Sequence, residues 1–216
     1  MNCIVTAGPT YEPLDEVRRL TNFSTGKLGS ELANFLTERG HDVTLLLGSY
    51  ATYRGKQKAG YVETFTTTAD LKSRLQTLAA QPVQAVFHAA AVSDFGFGKA
   101  WARNEESGLT ERKEGKLSTA QGEFLVELKP TPRIIAELRD WFPQAWLIGW
   151  KYEVDGDRSN VLAKAEEQIS KNRSDACVAN GPAYGEGFGL VTGAGKCEHL
   201  PDAMTLYQAL ARLIES

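Results

Sequence analysis

Three cysteines in 216 residues, with no Cys-x-x-Cys pair among them, leave this chain without a disulfide framework or a thiolate zinc set. Charge of one sign is also missing. Twenty-four basic and 27 acidic side chains give a net charge of −3, so no electrostatic footprint of a nucleic-acid or membrane-surface binder is present, and neither partner is expected. Any basic site must be local. No apolar run approaches the ~20 residues that span a bilayer, and no basic and apolar leader precedes the first strand residues, so a reduced, unprocessed, cytoplasmic protein is expected.

Several nucleotide motifs are absent as well. Gly8, Pro9 and Thr10 stand where a dinucleotide fingerprint needs Gly-x-Gly-x-x-Gly after the first strand. None of the seven tyrosines has a lysine four residues later, so hydride transfer by an NAD(P)-dependent oxidoreductase loses most of its support. Gly26 and Lys27 suggest a P-loop, yet Leu28 replaces the magnesium-binding hydroxyl and Thr21 stands at the first glycine. His41, His88 and His199 show no metal or triad spacing and are read as structural. What remains is a helix N-terminus preceded by Ser24, Thr25 and Gly26, which is either a general anion site or a Ser/Thr cap followed by a surface lysine.

What is present is alternation. Apolar runs at 2–6, 42–48, 61–66, 83–90, 145–150 and 175–179 read as strands, and helical spacing predicts helices at about 26–39, 69–80, 131–141, 157–171 and 202–214. This is the signature of βαβ units and a mainly parallel sheet within a single domain, 1–216. Two regions break it. Residues 95–129 read as an inserted antiparallel hairpin, and the glycine-rich piece at 181–199 reads as a second hairpin or flap. The loop between the first strand and Gly26 is far longer than the about 2 to 6 residues usual after a strand, which marks it as functional.

That loop carries Thr6, Ala7, Gly8, Thr10, Glu12, Pro13, Leu14, Asp15, Val17, Arg18, Asn22, Ser24, Gly26, Lys27 and Gly29. It resembles the TAGxTxEPLDxVRxxxNxSxGKxG segment of the phosphopantothenate-cysteine ligases (phosphopantothenoylcysteine synthetases). Residues 89–95 resemble that family's AAAVxD(Y/F) segment, Lys116 to Ser118 its lysine-containing loop, Thr131 to Ile135 its (T/N)PDI segment, and Lys171 to Asn180 its K…D…VAN ending. The chain departs from the pattern at Gly149 to Val154, where the family commonly has GFxxET, and at Gly181. These departures keep open a non-catalytic nucleotide- or phosphopantothenate-binding paralogue.

The resemblance implies a Rossmann-like α/β fold, helices on both faces, an excursion that pairs two subunits in a homodimer, and a stand-alone ligase whose companion decarboxylase is a separate protein. It implies that CTP or ATP, with Mg2+, activates the carboxylate of 4'-phosphopantothenate as an acyl nucleotidylate. Pyrophosphate leaves, and the amine of L-cysteine then forms the amide, a step of coenzyme A biosynthesis. On this basis Asn22 and Lys116 are the catalytic candidates, with Lys113 an alternative register for Lys116. Gly8, Ser24, Thr25, Gly26, Lys27, Asp94, Thr131, Pro132, Arg133, Ile134, Trp150 and Lys171 are expected to bind nucleotide, Lys171 being favoured over Lys164. Ala90, Ala91 and Val92, with Asn22, are expected to bind substrate, and Asp94 to support the metal or contact a ribose. Trp150 is read either as a base-stacking ring or as a core aromatic.

Overall fold

The structure, a computed structural model, describes residues 1–104, 108–118 and 122–216. The pieces of the expected excursion at 105–107 and 119–121 lie outside the described residues. Along the chain run β1 (Asn2–Ala7), β2 (Tyr11–Pro13), β3 (Arg19–Thr21), α1 (Lys27–Glu38), β4 (Asp42–Gly48), β5 (Tyr61–Phe65), α2 (Thr68–Leu78) and β6 (Ala85–His88). The excursion follows as β7 (Phe95–Asn104), β8 (Gly108–Arg112) and β9 (Glu123–Pro130). Then come α3 (Ile134–Trp141), β10 (Trp146–Tyr152), α4 (Arg158–Asn172), β11 (Ala176–Asn180), β12 (Phe188–Gly193), β13 (Lys196–Leu200) and α5 (Ala203–Glu215).

The short apolar runs form an eight-stranded sheet in the order β13-β12-β11-β10-β6-β1-β4-β5. Strands β5, β4, β1, β6, β10 and β11 are parallel, and the near-continuous burial of the central β1 and β6 follows from helices covering both faces. On one face α1 and α5 pack Leu32, Leu36, Leu206 and Leu210 against Val5, Leu45 and Phe87. On the other, α2 and α3 pack Leu71, Leu75, Ile134 and Leu138 against Ile4, Leu46, Val86 and Leu147. Chain order reverses between β1 and β6: β1 leads to β4 on one side, and the chain later returns to β6 on the other. A crevice at the carboxyl ends of the strands follows from that reversal.

Four local outcomes differ from the sequence reading. The long opening loop contains a small hairpin, β2–β3, which its three-residue strands are too short to announce. The excursion is a three-stranded sheet, β8-β7-β9, rather than a two-stranded hairpin. The piece at 181–199 is built into the main sheet, because β12 pairs antiparallel with β11 and β13 with β12. Helix α3 begins at Ile134, since Pro132 biases the residue before it away from helical geometry.

Candidate functional site

Glycines set the geometry of the strand-end crevice. Gly26 caps α1 in the left-handed region (φ 76°) with no side-chain cap, so the expected Ser/Thr cap is not what opens this helix. Thr25 Oγ1 instead accepts the Lys27 N–H at 3.2 Å. The positive end of α1 thus faces the crevice with its first-turn amides largely uncovered, which is what an anion site requires. Gly29 lets the helix ride directly on β1: a Cβ there would lie 2.6 Å from that of Ala7 and 3.1 Å from the Thr6 carbonyl oxygen.

The opening loop is stitched to the segment after β6. Ala91 N–H donates to the Gly8 carbonyl at 3.0 Å and Thr10 N–H to the Ala91 carbonyl at 3.1 Å, which prolongs the β1–β6 pairing past the strand ends. Buried Thr10 also accepts the Ser93 N–H at 2.8 Å. Asn22 then closes over this segment, its Nδ2 donating to the carbonyls of Ala91 and Val92, both at 3.3 Å. With the amide donor turned onto backbone carbonyls, the Oδ1 is left as an acceptor. Asn22 therefore offers the crevice a place for an N–H, not for a carbonyl oxygen.

Around these elements lie three adjoining cavities. The first, of about 730 Å³, gathers Gly8, Asn22, Ser24, Thr25, Gly26, Lys27, Ala90, Ala91 and Trp150, together with Phe23, Tyr152 and Asn180, which the sequence reading did not single out. A second, of about 410 Å³, gathers Val92, Asp94, Thr131, Pro132, Arg133 and Ile134, and adds His88, Lys151 and Gln168. Ala90 and Trp150 line both and form the wall between them. Trp150 also packs partly against the α1/α5 core, so it is at once a core aromatic and a cavity wall. The third, of about 280 Å³, shares Arg133, Lys151 and Gln168 with the second and brings in Lys164 and Lys171. Lys164 and Lys151 both pair with Glu153, at 2.6 and 3.0 Å, and Lys164 above all holds that carboxyl below its usual range. Lys171 pairs with Glu167 on its own helix.

Lys116 is not brought to these cavities. It lines a separate hollow with Val17, Arg18, Leu117 and Ser118. Its loop is tied to the opening loop by Asp15, whose side chain is only 2 % exposed. That carboxylate accepts from Arg18 Nη2 at 2.5 Å and Nε at 3.0 Å, and from the Leu117 N–H at 3.2 Å, while Arg18 Nη2 donates to the Leu117 carbonyl at 2.7 Å. The Arg18 guanidinium holds the Asp15 carboxyl far below its ordinary value. Lys113 pairs with Glu111 at 3.7 Å, further from the strand ends in sequence and exposed.

One exposed and one buried group complete the picture. The Asp94 carboxylate is exposed and has no hydrogen-bond or ion-pair partner among the described residues, at the carboxyl end of β6. Among the described residues no group of three or more His, Cys, Asp or Glu side chains could hold a metal. A single free carboxylate fits an ion carried mainly by ligand phosphates and water, as Mg2+ commonly is. His88 lies beneath, its Nδ1 3.0 Å from Thr6 Oγ1. That buried hydroxyl already accepts the Ala90 N–H at 3.1 Å and has no other acceptor for its own proton among the described residues. If Nδ1 carried the proton, the Thr6 O–H would be left unspent in the interior, a cost of roughly 1–3 kcal/mol, so the proton sits on Nε2. Burial pushes the imidazole down to about 4, which keeps the ring neutral. Sequence reasoning set His88 aside for want of a partner at metal or triad spacing; the available signal was a histidine ending an otherwise apolar strand, Ala85, Val86 and Phe87.

Comparison with known proteins follows the same architecture. The model of the DNA/pantothenate metabolism flavoprotein C-terminal domain matches residues 1–197. A coenzyme A biosynthesis bifunctional protein of Thermococcus kodakarensis is 31 % identical over 179 residues, covering 82 % of this chain and 40 % of that protein. The chain thus spans less than half the length of the first curated relatives it matches. A phosphopantothenate–cysteine ligase of Mus musculus is 26 % identical over 232 residues, covering 82 % of this chain and 71 % of the mouse protein. The crystal structure of a DNA/pantothenate metabolism flavoprotein from Streptococcus pneumoniae superposes with a TM-score of 0.86 at 26 % identity, covering 100 % of this chain and 98 % of that one.

Proposed function

We propose that this chain, which belongs to the family of DNA/pantothenate metabolism flavoprotein C-terminal domains, joins 4'-phosphopantothenate to L-cysteine in coenzyme A biosynthesis. The observation that carries this reading is the pair of cavities meeting at Ala90 and Trp150, because a two-substrate activation needs a carboxylate and an α-phosphate brought together across one shared wall. The first cavity takes phosphopantothenate. Its phosphate end is suited to the open N-terminus of α1 at Gly26 and Lys27, which the sequence alone assigned with Gly8, Ser24 and Thr25 to the nucleotide, and its amide N–H to Asn22 Oδ1. The second takes the nucleoside triphosphate, CTP or ATP, with Asp94 toward the ribose or the Mg2+ ion, and the 131–134 segment and Trp150 around the nucleoside. Lys164 and Lys171 line the cavity into which the outer phosphates would extend.

In the first step a carboxylate oxygen of phosphopantothenate attacks the α-phosphorus and pyrophosphate leaves. The cysteine amine then attacks the acyl carbon, the amide forms, and the nucleoside monophosphate leaves. This chain's contribution is positioning and fixed positive charge where negative charge gathers. Lys116, without an ion-pair partner among the described residues, is a cation for that role, and because it lines a hollow separate from the cavities, we assign it to the site of a second copy in a homodimer. Leu109, Leu128 and Phe95 of the excursion are exposed apolar side chains available for such pairing. Incubating the purified protein with 4'-phosphopantothenate, cysteine, Mg2+ and each nucleotide in turn tests this. Release of pyrophosphate with formation of the cysteine amide is expected, and no turnover with any nucleotide would overturn the reading.

A further inference from the structure

His88 ends β6 on the side of the sheet where α2 and α3 pack, as Val86 two residues earlier and Ile4 two residues before Thr6 show. Its ring is 6 % exposed and lines the second cavity. Thr6 of β1 holds Nδ1 as an acceptor, and the backbone N–H of Ala90, just past β6, holds Thr6, so these two groups fix the tautomer. The Nε2–H that results has no hydrogen-bond partner among the described residues. A donor of fixed polarity on a cavity wall, without a protein partner, is free to meet an acceptor of a bound ligand.

We propose that His88 is a specificity-determining residue that reads the bound nucleotide, its Nε2–H donating to a lone-pair acceptor on the edge of the base. This rests on the assignment of the second cavity to the nucleotide. A neutral imidazole locked in one tautomer differs from a surface hydroxyl or amide, because it cannot rotate or flip to offer an acceptor instead. Bases that turn a ring nitrogen or carbonyl oxygen to the strand end are favoured, and those that turn an N–H there are rejected, since two opposed donors would both go unpaired. Gln168, in the same cavity, has its amide nitrogen near the Trp150 carbonyl and Cys177 Sγ and so cannot serve as that donor without leaving them.

The test measures binding of CTP, ATP, UTP and GTP to the wild-type protein, His88→Phe and His88→Gln by calorimetry, alongside the KM for nucleotide and for cysteine. His88→Phe should weaken the preferred nucleotide about tenfold and narrow the spread among the four, leaving the cysteine KM unchanged, while His88→Gln, which keeps a donor at similar reach, restores most of the affinity. In the unmodified protein, 15N spectra should show the Nε2–H tautomer before nucleotide is added and a shift of its proton on binding. If the wild type binds no nucleotide, the assignment of the cavity fails. If it binds but His88→Phe binds equally well with the same spread, or the Nε2–H resonance does not move, the role of His88 alone is overturned.

Discussion

At the strand ends, Gly29 brings α1 so close to β1 that no added methyl fits, whereas Lys116 on the excursion is placed through one carboxylate, Asp15, and the arginine that shares it. The first region is made by close packing of backbone on backbone, with buried Thr6 and Thr10 satisfying what the strands leave open. The second is a sheet exposed along β8 and half-buried along much of β9, with a polar tether to the opening loop. The contrast teaches that the packed half of the proposed site is defined within one chain, whereas under the proposed dimer the half carrying Lys116 is the one that a second copy would complete.

The largest expected effect breaks the comparison directly. Asn22→Ala and Lys116→Ala should each fold as the wild type does by circular dichroism and each lose about 10²–10³-fold in turnover, the scale of removing one group that acts on the transition state. Mixed together, the two inactive variants should recover about a quarter of wild-type activity, because in a two-fold dimer with exchanged subunits one of the two sites receives both intact residues. Recovery that fails despite proven subunit exchange would return Lys116 to the site of its own chain.

A smaller effect separates the two regions by pH. His88, in the packed region, has a folded-state value lowered from 6.5 to about 4, so protonation favours the unfolded chain. Its stabilisation is complete above pH 6.5 and is lost as pH falls toward 4, by up to about 3 kcal/mol. Asp15, in the tether, is also lowered, from 3.8, but as an acid its contribution is complete above that value and lost only below it. Urea midpoints measured from pH 8 to pH 3 should therefore fall first through His88, and the stability of the wild type relative to His88→Gln should drop by up to about 3 kcal/mol between pH 6.5 and pH 4. A flat difference across that window would mean the imidazole is not buried neutral.

How much of this was legible in sequence follows the same division. The six parallel strands and five helices stand near where periodicity puts them, because a strand covered on both faces reads as an uninterrupted apolar run, as Val86 and Phe87 do. The grouping of Asn22, Ser24 to Lys27, Ala90 and Ala91 was also legible, since all lie at ends of elements that the pattern locates. The β2–β3 hairpin was not, being three residues on each side, too few for an alternation to be detected. Nor was the left-handed cap at Gly26, which looks in sequence like a Ser/Thr cap. The separation of Lys116 from the cavities was hidden for a different reason: it depends on contacts about a hundred positions apart, between Asp15 and Leu117, that no local pattern encodes.

The smallest effect tests whether the packed region is as rigid as its spacing implies. In Gly29→Ala the new methyl would meet Ala7 Cβ at 2.6 Å and the Thr6 carbonyl at 3.1 Å, and both neighbours belong to a central strand that cannot yield without disturbing β4 and β6. Helix α1 must move instead, and overpacking of this kind costs typically 1–3 kcal/mol, so about 2 kcal/mol in a denaturant titration is expected. The better helix propensity of alanine, worth about 1 kcal/mol, works in the opposite direction, and the net loss should still be measurable. Because α1 carries Gly26 and Lys27 into the first cavity, its displacement should raise the KM for phosphopantothenate while leaving dimerisation untouched. Stability equal to the wild type would mean the helix and strand can part at little cost, and the distinction between a packed and a tethered half would no longer hold.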